Sequence, residues 1–191
     1  IDLENGFTLL IHMKMTGHLM YGKYEENKNS NGREWVWKPV VKNSPLLDPY
    51  NRHIRTMFSL SNGNHLVFCD SRKFGTVVVE KTSSLHSNRL AHLGPEPLET
   101  SFTLTAFKER LMKSGGRAIK TVLMDQSIIS GIGNIYSDEM LHRAHILPLR
   151  TPASLTEKEY RDLFKAMKHV LTKGIDFGGD STSDYRNIDG D

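Results

Sequence analysis

The chain has 191 residues, of which 38% are hydrophobic and 25% are charged, and its net charge at pH 7 is +3. This balance indicates a folded globular protein with one large or two small domains and excludes a disordered chain. The small basic excess permits an anionic partner without requiring one. The single cysteine, Cys69, excludes an internal disulfide and a thiolate-rich zinc site within the chain. No signal peptide or long apolar stretch is present, so we expect a cytoplasmic protein without membrane contact.

The first part of the chain has the alternating pattern of β-strands. Every second residue is apolar within 5–13, which predicts a strand. Residues 54–60 and 64–70 flank Asn62-Gly63, a pair typical of the two-residue turn of a β-hairpin. A polar break follows, and residues 76–80 resume the β pattern. Successive strands without intervening helices predict an antiparallel sandwich or sheet.

Two prolines, Pro95 and Pro97, mark the end of this region, because they disfavour helix and stiffen a linker. After them the apolar spacing changes from every second residue to the spacing of a helix. We therefore place a domain boundary within 93–98 and predict domains of residues 1–96 and 97–191. The predicted fold class is α+β, an antiparallel β-sandwich that is incomplete in this chain, followed by a helical domain.

Helices are predicted from Leu104 to Gly115, over 119–127 and over 134–144. A last helix carries a full apolar stripe. Ser154 and Glu157 have the spacing of a capping box, which predicts the start of that helix. Gly174 is predicted to end it.

The connection between the second and third predicted helices is short and contains Gly131 and Gly133, which allow tight turns. Asn134 stands where a helix N-cap is expected. A helix start has unpaired amide groups and the positive end of the helix dipole, so it suits a phosphate. The pattern leaves two interpretations open, a clamp on a nucleic-acid backbone and a tight connection between two core helices.

Several segments together resemble the formamidopyrimidine-DNA glycosylase family, the Fpg/Nei enzymes of base-excision repair. Residues 123–148, LMDQSIISGIGNIYSDEMLHRAHILP, resemble its helix–two-turn–helix motif. Residues 12–19 (HMKMTGHL), 69–75 (CDSRKFG), 93–98 (LGPEPL) and 178–187 (GGDSTSDYRN) are similar to four further motifs of the family, in the same order. The resemblance implies an N-terminal β-sandwich, a helical domain ending in a zinc ribbon, and DNA bound between them.

The family flips a damaged nucleotide out of the duplex, and an N-terminal proline attacks its sugar to form a Schiff base. Because the chain begins at Ile1 in a strand-like segment, we expect an internal piece that lacks this proline, the acidic residue after it and the zinc ribbon. The resemblance therefore assigns no catalytic residue to this chain, and it implies zinc only for the parent protein. His142 and His145 have no third ligand near them in sequence, so no metal site is expected.

By resemblance, Met15, Arg72 and Phe74 fill the gap that a flipped nucleotide leaves. Phe74 would wedge between bases, and Arg72 would hydrogen-bond the base left without a partner. The alternatives from pattern alone are core packing for Met15 and a solvated hairpin tip for Arg72 and Phe74. Further DNA contacts are implied at His53, Arg117, Lys120, Gly133 and Asn134.

The polar segment near the end of the chain matches the loop that closes on the flipped base. Its matching residues are Gly178, Gly179, Ser181, Thr182, Asp184, Tyr185 and Asn187. The expected function is that of a monomeric glycosylase and AP lyase for oxidised purines, such as 8-oxoguanine and formamidopyrimidines, in damaged double-stranded DNA. The alternatives are a damaged-DNA-binding fragment without catalysis, an endonuclease VIII-like enzyme for oxidised pyrimidines, and a module that binds structured RNA.

Overall fold

The computed structural model describes residues 1–28, 35–41, 44–85, 89–176 and 188–190. Strands occupy the first part of the chain and α-helices the second, so the predicted α+β class is confirmed. The strands are β1 (Phe7–His12), β2 (Gly17–Gly22), β3 (Tyr24–Lys28), β4 (Trp35–Pro39), β5 (Ile54–Ser59), β6 (His65–Asp70) and β7 (Thr76–Lys81). The helices are α1 (Leu104–Met112), α2 (Ile119–Leu123), α3 (Asn134–Arg143) and α4 (Glu157–Asp176).

The strands pair only with antiparallel neighbours among the described residues: β1 with β7, β6 with both β2 and β5, and β3 with β4. The predicted hairpin of β5 and β6 is present, with Ser59 opposite His65. Its turn spans residues 60–64 and places Gly63 at φ +80°, so it is longer than the predicted two-residue turn. One core of this unit contains Met20, Tyr24, Leu46, Val67 and Cys69.

The described residues form two units. One comprises the residues up to Leu85 together with 188–190, and the other comprises 89–176. The predicted division at residue 96 falls later in the chain than this one. Residues 93–98 pack with the helices because the Gly94 amide donates to the Gln126 carbonyl at 2.7 Å and the Pro95 carbonyl accepts from the Ser130 amide at 3.2 Å.

The helical unit is built on an apolar core that all four helices share. Its fully buried members include Phe107, Val122, Met140 and Leu163, one from each helix. Phe107 also contacts the ring of Phe164, with ring centroids 5.5 Å apart. No helix in the described part of the chain is long and apolar enough to cross a membrane.

The ends of α4 differ from those predicted. The capping box uses Thr156 and Glu159 instead of Ser154 and Glu157: the Thr156 amide donates to Glu159 Oε2 at 2.7 Å, and the Glu159 amide donates to Thr156 Oγ1 at 3.3 Å. Gly174 lies inside the helix and does not end it. A Cβ at Gly174 would lie 2.4 Å from the Tyr136 hydroxyl oxygen, so the glycine allows α3 and α4 to approach closely.

The two helices that flank the predicted turns also differ slightly from the prediction. The first ends at Leu123 instead of residue 127. Asn134 is the first residue of α3, and Gly133 occupies the N-cap position with φ −101°, so the predicted capping role of Asn134 is wrong.

The capping geometry predicts that Thr156→Ala lowers the free energy of unfolding by about 1 kcal/mol, because it leaves an amide group at the start of α4 without its acceptor. Ser154→Ala is the matched control, and we expect it to cost less, because Ser154 does not cap α4. Urea unfolding followed by the helical circular-dichroism signal measures both. An equal or larger loss for Ser154→Ala would contradict the assignment of the cap.

Candidate nucleic-acid interface

Met15, Arg72 and Phe74 meet on the surface of the β unit and are called the wedge cluster below. Arg72 Nη1 lies 3.3 Å from Met15 Sδ, and the Arg72 guanidinium carbon lies 4.7 Å from the centroid of the Phe74 ring. Met15 is 72% exposed and Phe74 is 54% exposed. Met15 therefore does not pack in a core, and the chain presents two large apolar side chains around a cation to solvent.

The buried carboxylate of Asp70 organises the loop that carries this cluster. Asp70 Oδ1 accepts hydrogen bonds from Thr16 Oγ1 at 2.5 Å and from the Arg72 amide at 3.1 Å. Its Oδ2 accepts from the Gly75 amide at 2.7 Å. The carboxylate thus joins the start of β2 to both sides of the loop after β6. Because Asp70 is the last residue of β6, the loop is fixed to the end of a paired strand.

The same hydrogen bonds set the protonation state of Asp70. Burial alone would raise the pKa of this carboxyl group, but the hydrogen bond from Thr16 and those from the Gly75, Arg72 and Phe74 amides outweigh it and lower the pKa. Asp70 is therefore ionised at neutral pH. A charged acceptor makes stronger hydrogen bonds than a neutral one, so the loop is held firmly.

The loop backbone is strained at Lys73, which has φ +60°, and the facing loop has Lys14 at φ +54°. Residues other than glycine rarely adopt this left-handed conformation, which costs about 1 kcal/mol or more per residue. Both lysines flank members of the wedge cluster in sequence. The strained backbone therefore lies directly beside Met15, Arg72 and Phe74 in the chain.

His53 lies beside the base of this loop. Its carbonyl accepts from the Asp70 amide at 3.0 Å, and Arg55 Nε donates to the Asp70 carbonyl at 2.7 Å. Burial and the charges of Arg52 and Arg55 lower the pKa of His53, so its ring is neutral at neutral pH. The structure therefore brings His53 and the wedge-cluster loop together through Asp70.

In the helical unit, Gln126 holds the turns between α2 and α3. Its Nε2 donates to the Ile132 carbonyl at 2.8 Å, and its Oε1 accepts from the Gly131 amide at 2.8 Å. Gly131 has φ +77°, which glycine tolerates. Gly94 packs on the same turns, and a Cβ there would lie 2.6 Å from the Ile128 carbonyl. Sequence reasoning missed the roles of Gln126 and Gly94, which depend on contacts between distant or irregular segments.

The start of α3 is exposed and has no side-chain cap. Gly131, Gly133, Asn134 and Ile135 are all exposed. The N-cap Gly133 offers no side-chain acceptor to the first amide groups. These amide groups lack partners within the helix and carry the positive end of its dipole, so this helix end can accept an anion.

Two predicted phosphate contacts are engaged with carboxylates. Arg117 Nη1 lies 2.8 Å from Asp125 Oδ2, and Lys120 Nζ lies 2.7 Å from Asp138 Oδ1. Hydrogen bonds from the Ser127 hydroxyl, Arg117 and the Ser127 amide lower the pKa of Asp125 to about 2. Binding of a phosphate to either cation would therefore replace an existing partially exposed ion pair, which is a weak interaction in water.

The structure does not describe some of the residues that the sequence predicts for the site. The residues of the predicted base-recognition loop lie outside the described part of the chain: Gly178, Gly179, Ser181, Thr182, Asp184, Tyr185 and Asn187. Among the residues that the structure describes, three or more His, Cys, Asp or Glu side chains do not come together in a group that could hold a metal ion. The DNA contacts assigned by resemblance stay predictions.

Comparison with protein-family models identifies both units. The formamidopyrimidine-DNA glycosylase N-terminal domain matches residues 1–77, and the formamidopyrimidine-DNA glycosylase H2TH domain matches residues 93–186. Because the first match starts at residue 1, it gives no support to the expectation that the N-terminal segment is missing.

Proteins similar to this chain are also named formamidopyrimidine-DNA glycosylase. A formamidopyrimidine-DNA glycosylase of Pelotomaculum thermopropionicum is 38% identical over 191 residues, which is 100% of this chain and 60% of that protein. One from Herpetosiphon aurantiacus is 37% identical over 100% of this chain and 61% of that protein. This chain therefore spans about 60% of the length of these relatives.

Solved structures of the family have the same fold. The complex of Lactococcus lactis Fpg with DNA containing an abasic site matches with a TM-score of 0.76 and 27% identity, over 96% of this chain and 59% of that one. The MutM (Fpg) protein of Thermus thermophilus matches with a TM-score of 0.73 and 33% identity, over 98% of this chain and 60% of that one. The matches to both domains and to full-length relatives agree, and the chain belongs to the formamidopyrimidine-DNA glycosylase family.

Proposed function

We propose that the protein is a DNA glycosylase that removes damaged bases from duplex DNA after flipping the nucleotide out of the helix. The wedge cluster is the observation that carries the proposal. It presents a flexible thioether, a guanidinium group and an aromatic ring side by side on the surface. A flipped nucleotide leaves a gap in the base stack, and unstacking costs a few kcal/mol.

The three side chains supply different parts of the replacement for the lost base. The Phe74 ring has a face on which a neighbouring base can stack. The Arg72 guanidinium can donate hydrogen bonds to the acceptor atoms of the base left opposite. Met15 is unbranched and fills irregular space. The cluster around Arg72 therefore offers stacking, hydrogen-bonding and space-filling groups to a base-sized gap.

The exposed start of α3 supplies a grip on the DNA backbone in this proposal. Its uncapped amide groups and the Asn134 side chain can donate hydrogen bonds to a phosphate. Such contacts position a protein on DNA and carry no sequence information, which suits an enzyme that must inspect any sequence. The rigid turns held by Gln126 keep this helix end in a fixed conformation.

In more detail, we propose that the intact protein prefers oxidised purines and cleaves the strand through a Schiff base. We further propose that it is a bacterial cytoplasmic monomer and that it needs zinc, which would bind outside this chain. Similar proteins named formamidopyrimidine-DNA glycosylase support the substrate class. Two alternatives remain testable beside it, an endonuclease VIII-like preference for oxidised pyrimidines and a DNA-binding fragment without catalysis.

Incubation of the intact protein with an 8-oxoguanine duplex and borohydride is expected to yield a covalent protein–DNA adduct, because borohydride reduces a Schiff base to a stable amine. The undamaged duplex of the same sequence is the control. A duplex with an oxidised pyrimidine separates the two substrate classes. Binding to an abasic-site duplex without any adduct would overturn the lyase assignment and favour the non-catalytic alternative.

Phe74→Ala should reduce excision from a damaged duplex by about tenfold or more, because stacking of a base on an aromatic ring contributes about 1–3 kcal/mol. Folding should be unaffected, since Phe74 is largely exposed. Val79→Ala removes an exposed apolar side chain from β7 and is the matched control. Single-turnover excision measures both variants, and equal rates for the two would argue against the wedge.

Asp70→Asn should release the wedge-cluster loop at neutral pH and slow excision, because an amide replaces the charged acceptor. The folded-state pKa of Asp70 is lowered, so its stabilising contribution is complete above the ordinary pKa of about 4 and is lost as the pH falls through the lowered value. The difference in urea midpoint between wild type and variant should therefore be constant near neutral pH and shrink in acid. Asp138→Asn is the control variant. It removes the charge of an exposed ion pair and should change the urea midpoint little. A constant difference down to strong acid would refute the role of the charge.

A further inference from the structure

Met15 is the most exposed sulfur-containing residue in the part of the chain that the structure describes. It is 72% exposed, and Met112, the next most exposed, is 47% exposed. Cys69 is fully buried, and burial raises the pKa of its thiol to about 12, so this group keeps its proton and is unreactive. An oxidant in solution therefore reaches Met15 more readily than the other described sulfur groups.

The sulfur of Met15 is also in contact with a cation. Arg72 Nη1 donates a hydrogen bond to Met15 Sδ at 3.3 Å. A thioether sulfur is a weak acceptor, so the guanidinium can leave it for a better acceptor at little cost. The reduced form of Met15 therefore keeps Arg72 in place and leaves its donors available.

Oxidation by a peroxide changes this contact. The sulfur attacks one peroxide oxygen, the O–O bond breaks, and the proton of the attacked oxygen moves to the leaving oxygen. The products are methionine sulfoxide and a molecule of water or alcohol. The new oxygen is bound to Met15 Sδ, close to Arg72 Nη1, and it accepts hydrogen bonds from a charged donor far better than a thioether does.

We propose that Met15 is an oxidation site, at which formation of the sulfoxide engages the Arg72 guanidinium and weakens the wedge cluster. This inference rests on the proposed function, in which Arg72 bonds the base left opposite the flipped nucleotide. A guanidinium that is held by a sulfoxide must give up that bond before it can reach the base. The oxidised Met15 side chain is also more polar, so it fills an apolar gap less well.

The modification leaves the fold of the loop intact. The Asp70 carboxylate holds the loop through the Thr16 hydroxyl and the Arg72 and Gly75 amides, and the Met15 side chain takes no part in these bonds. The urea midpoint should therefore stay the same after oxidation. Because sulfoxide reductases convert methionine sulfoxide back to methionine, the loss of function should be reversible.

Two variants of the intact protein separate Met15 from other oxidisable groups. Met15→Leu removes the sulfur and keeps an apolar side chain of similar size. Met112→Leu is the matched control, because Met112 is an exposed methionine at the end of α1, in the helical unit. Wild type and variants receive the same dose of hydrogen peroxide, and each is compared with its own untreated sample. All samples then receive dithiothreitol, which reverses disulfide formation and leaves sulfoxides unchanged, and a parallel set also receives both sulfoxide reductases.

Peptide mapping by mass spectrometry locates the added oxygen, and single-turnover excision of 8-oxoguanine measures its effect. We expect Met15 to be oxidised before Met112, and its sulfoxide form to excise about tenfold more slowly, because hydrogen bonds to charged groups are the stronger ones. The reductases should restore the rate. Met112→Leu should lose activity as the wild type does, and Met15→Leu should keep its own untreated rate.

NMR of the Arg72 guanidinium tests the contact without reference to activity. Its protons should exchange with water more slowly after oxidation, because the sulfoxide oxygen is the stronger acceptor. Equal loss of activity in Met15→Leu and wild type would overturn the oxidation site, and Met15 sulfoxide without slower Arg72 exchange would overturn the engagement of Arg72. Absence of excision by the untreated wild type would instead overturn the proposed function, while the peptide map and the exchange data would still decide on the site.

Discussion

The ionised carboxylate of Asp70 is the interaction on which the candidate site in the β unit depends. It is buried at the end of β6 and accepts hydrogen bonds from the Thr16 hydroxyl and from the Arg72 and Gly75 amides. A buried charge is unfavourable unless such donors surround it, and these donors come from the two segments that carry the wedge cluster. The charge can therefore be buried only when the loop is formed, and the loop is held because the buried charge must be satisfied.

Backbone strain and exposed apolar side chains occur together at the wedge cluster. Lys73 adopts a left-handed conformation beside Phe74, and both Phe74 and Met15 leave most of their apolar surface in water. Neither feature stabilises the folded chain by itself. Backbone strain of this kind persists where surrounding contacts over-determine it, and it concentrates at functional sites. The Asp70 hydrogen bonds are the contacts that maintain it here, so the surface is preorganised before any partner arrives.

Local patterns predicted the elements well and their ends less well. The β patterns within 5–13 and 76–80 correctly predicted strands, and these two strands pair with each other. The start of α4 was misplaced because Ser154 and Thr156 are both followed three residues later by an acid, and only packing decides between them. Gly174 lies within the helix despite its low helix propensity, and its missing side chain leaves room for Tyr136. The motif resemblance assigned the wedge residues, but their contacts are long-range and could not be read from spacing.

The polar network of Asn51, His18 and Gly190 shows why such contacts escape sequence reasoning. No local pattern marks Asn51, His18 or Gly190, and their separation in the chain hides the relation among them. Asn51 holds residues 188–190 in place, because one N–H of its buried amide is satisfied by the Gly190 carbonyl. The wedge cluster and residues 188–190 are consequently fixed to one strand pair. Their relative geometry therefore depends on the pairing of β2 with β6.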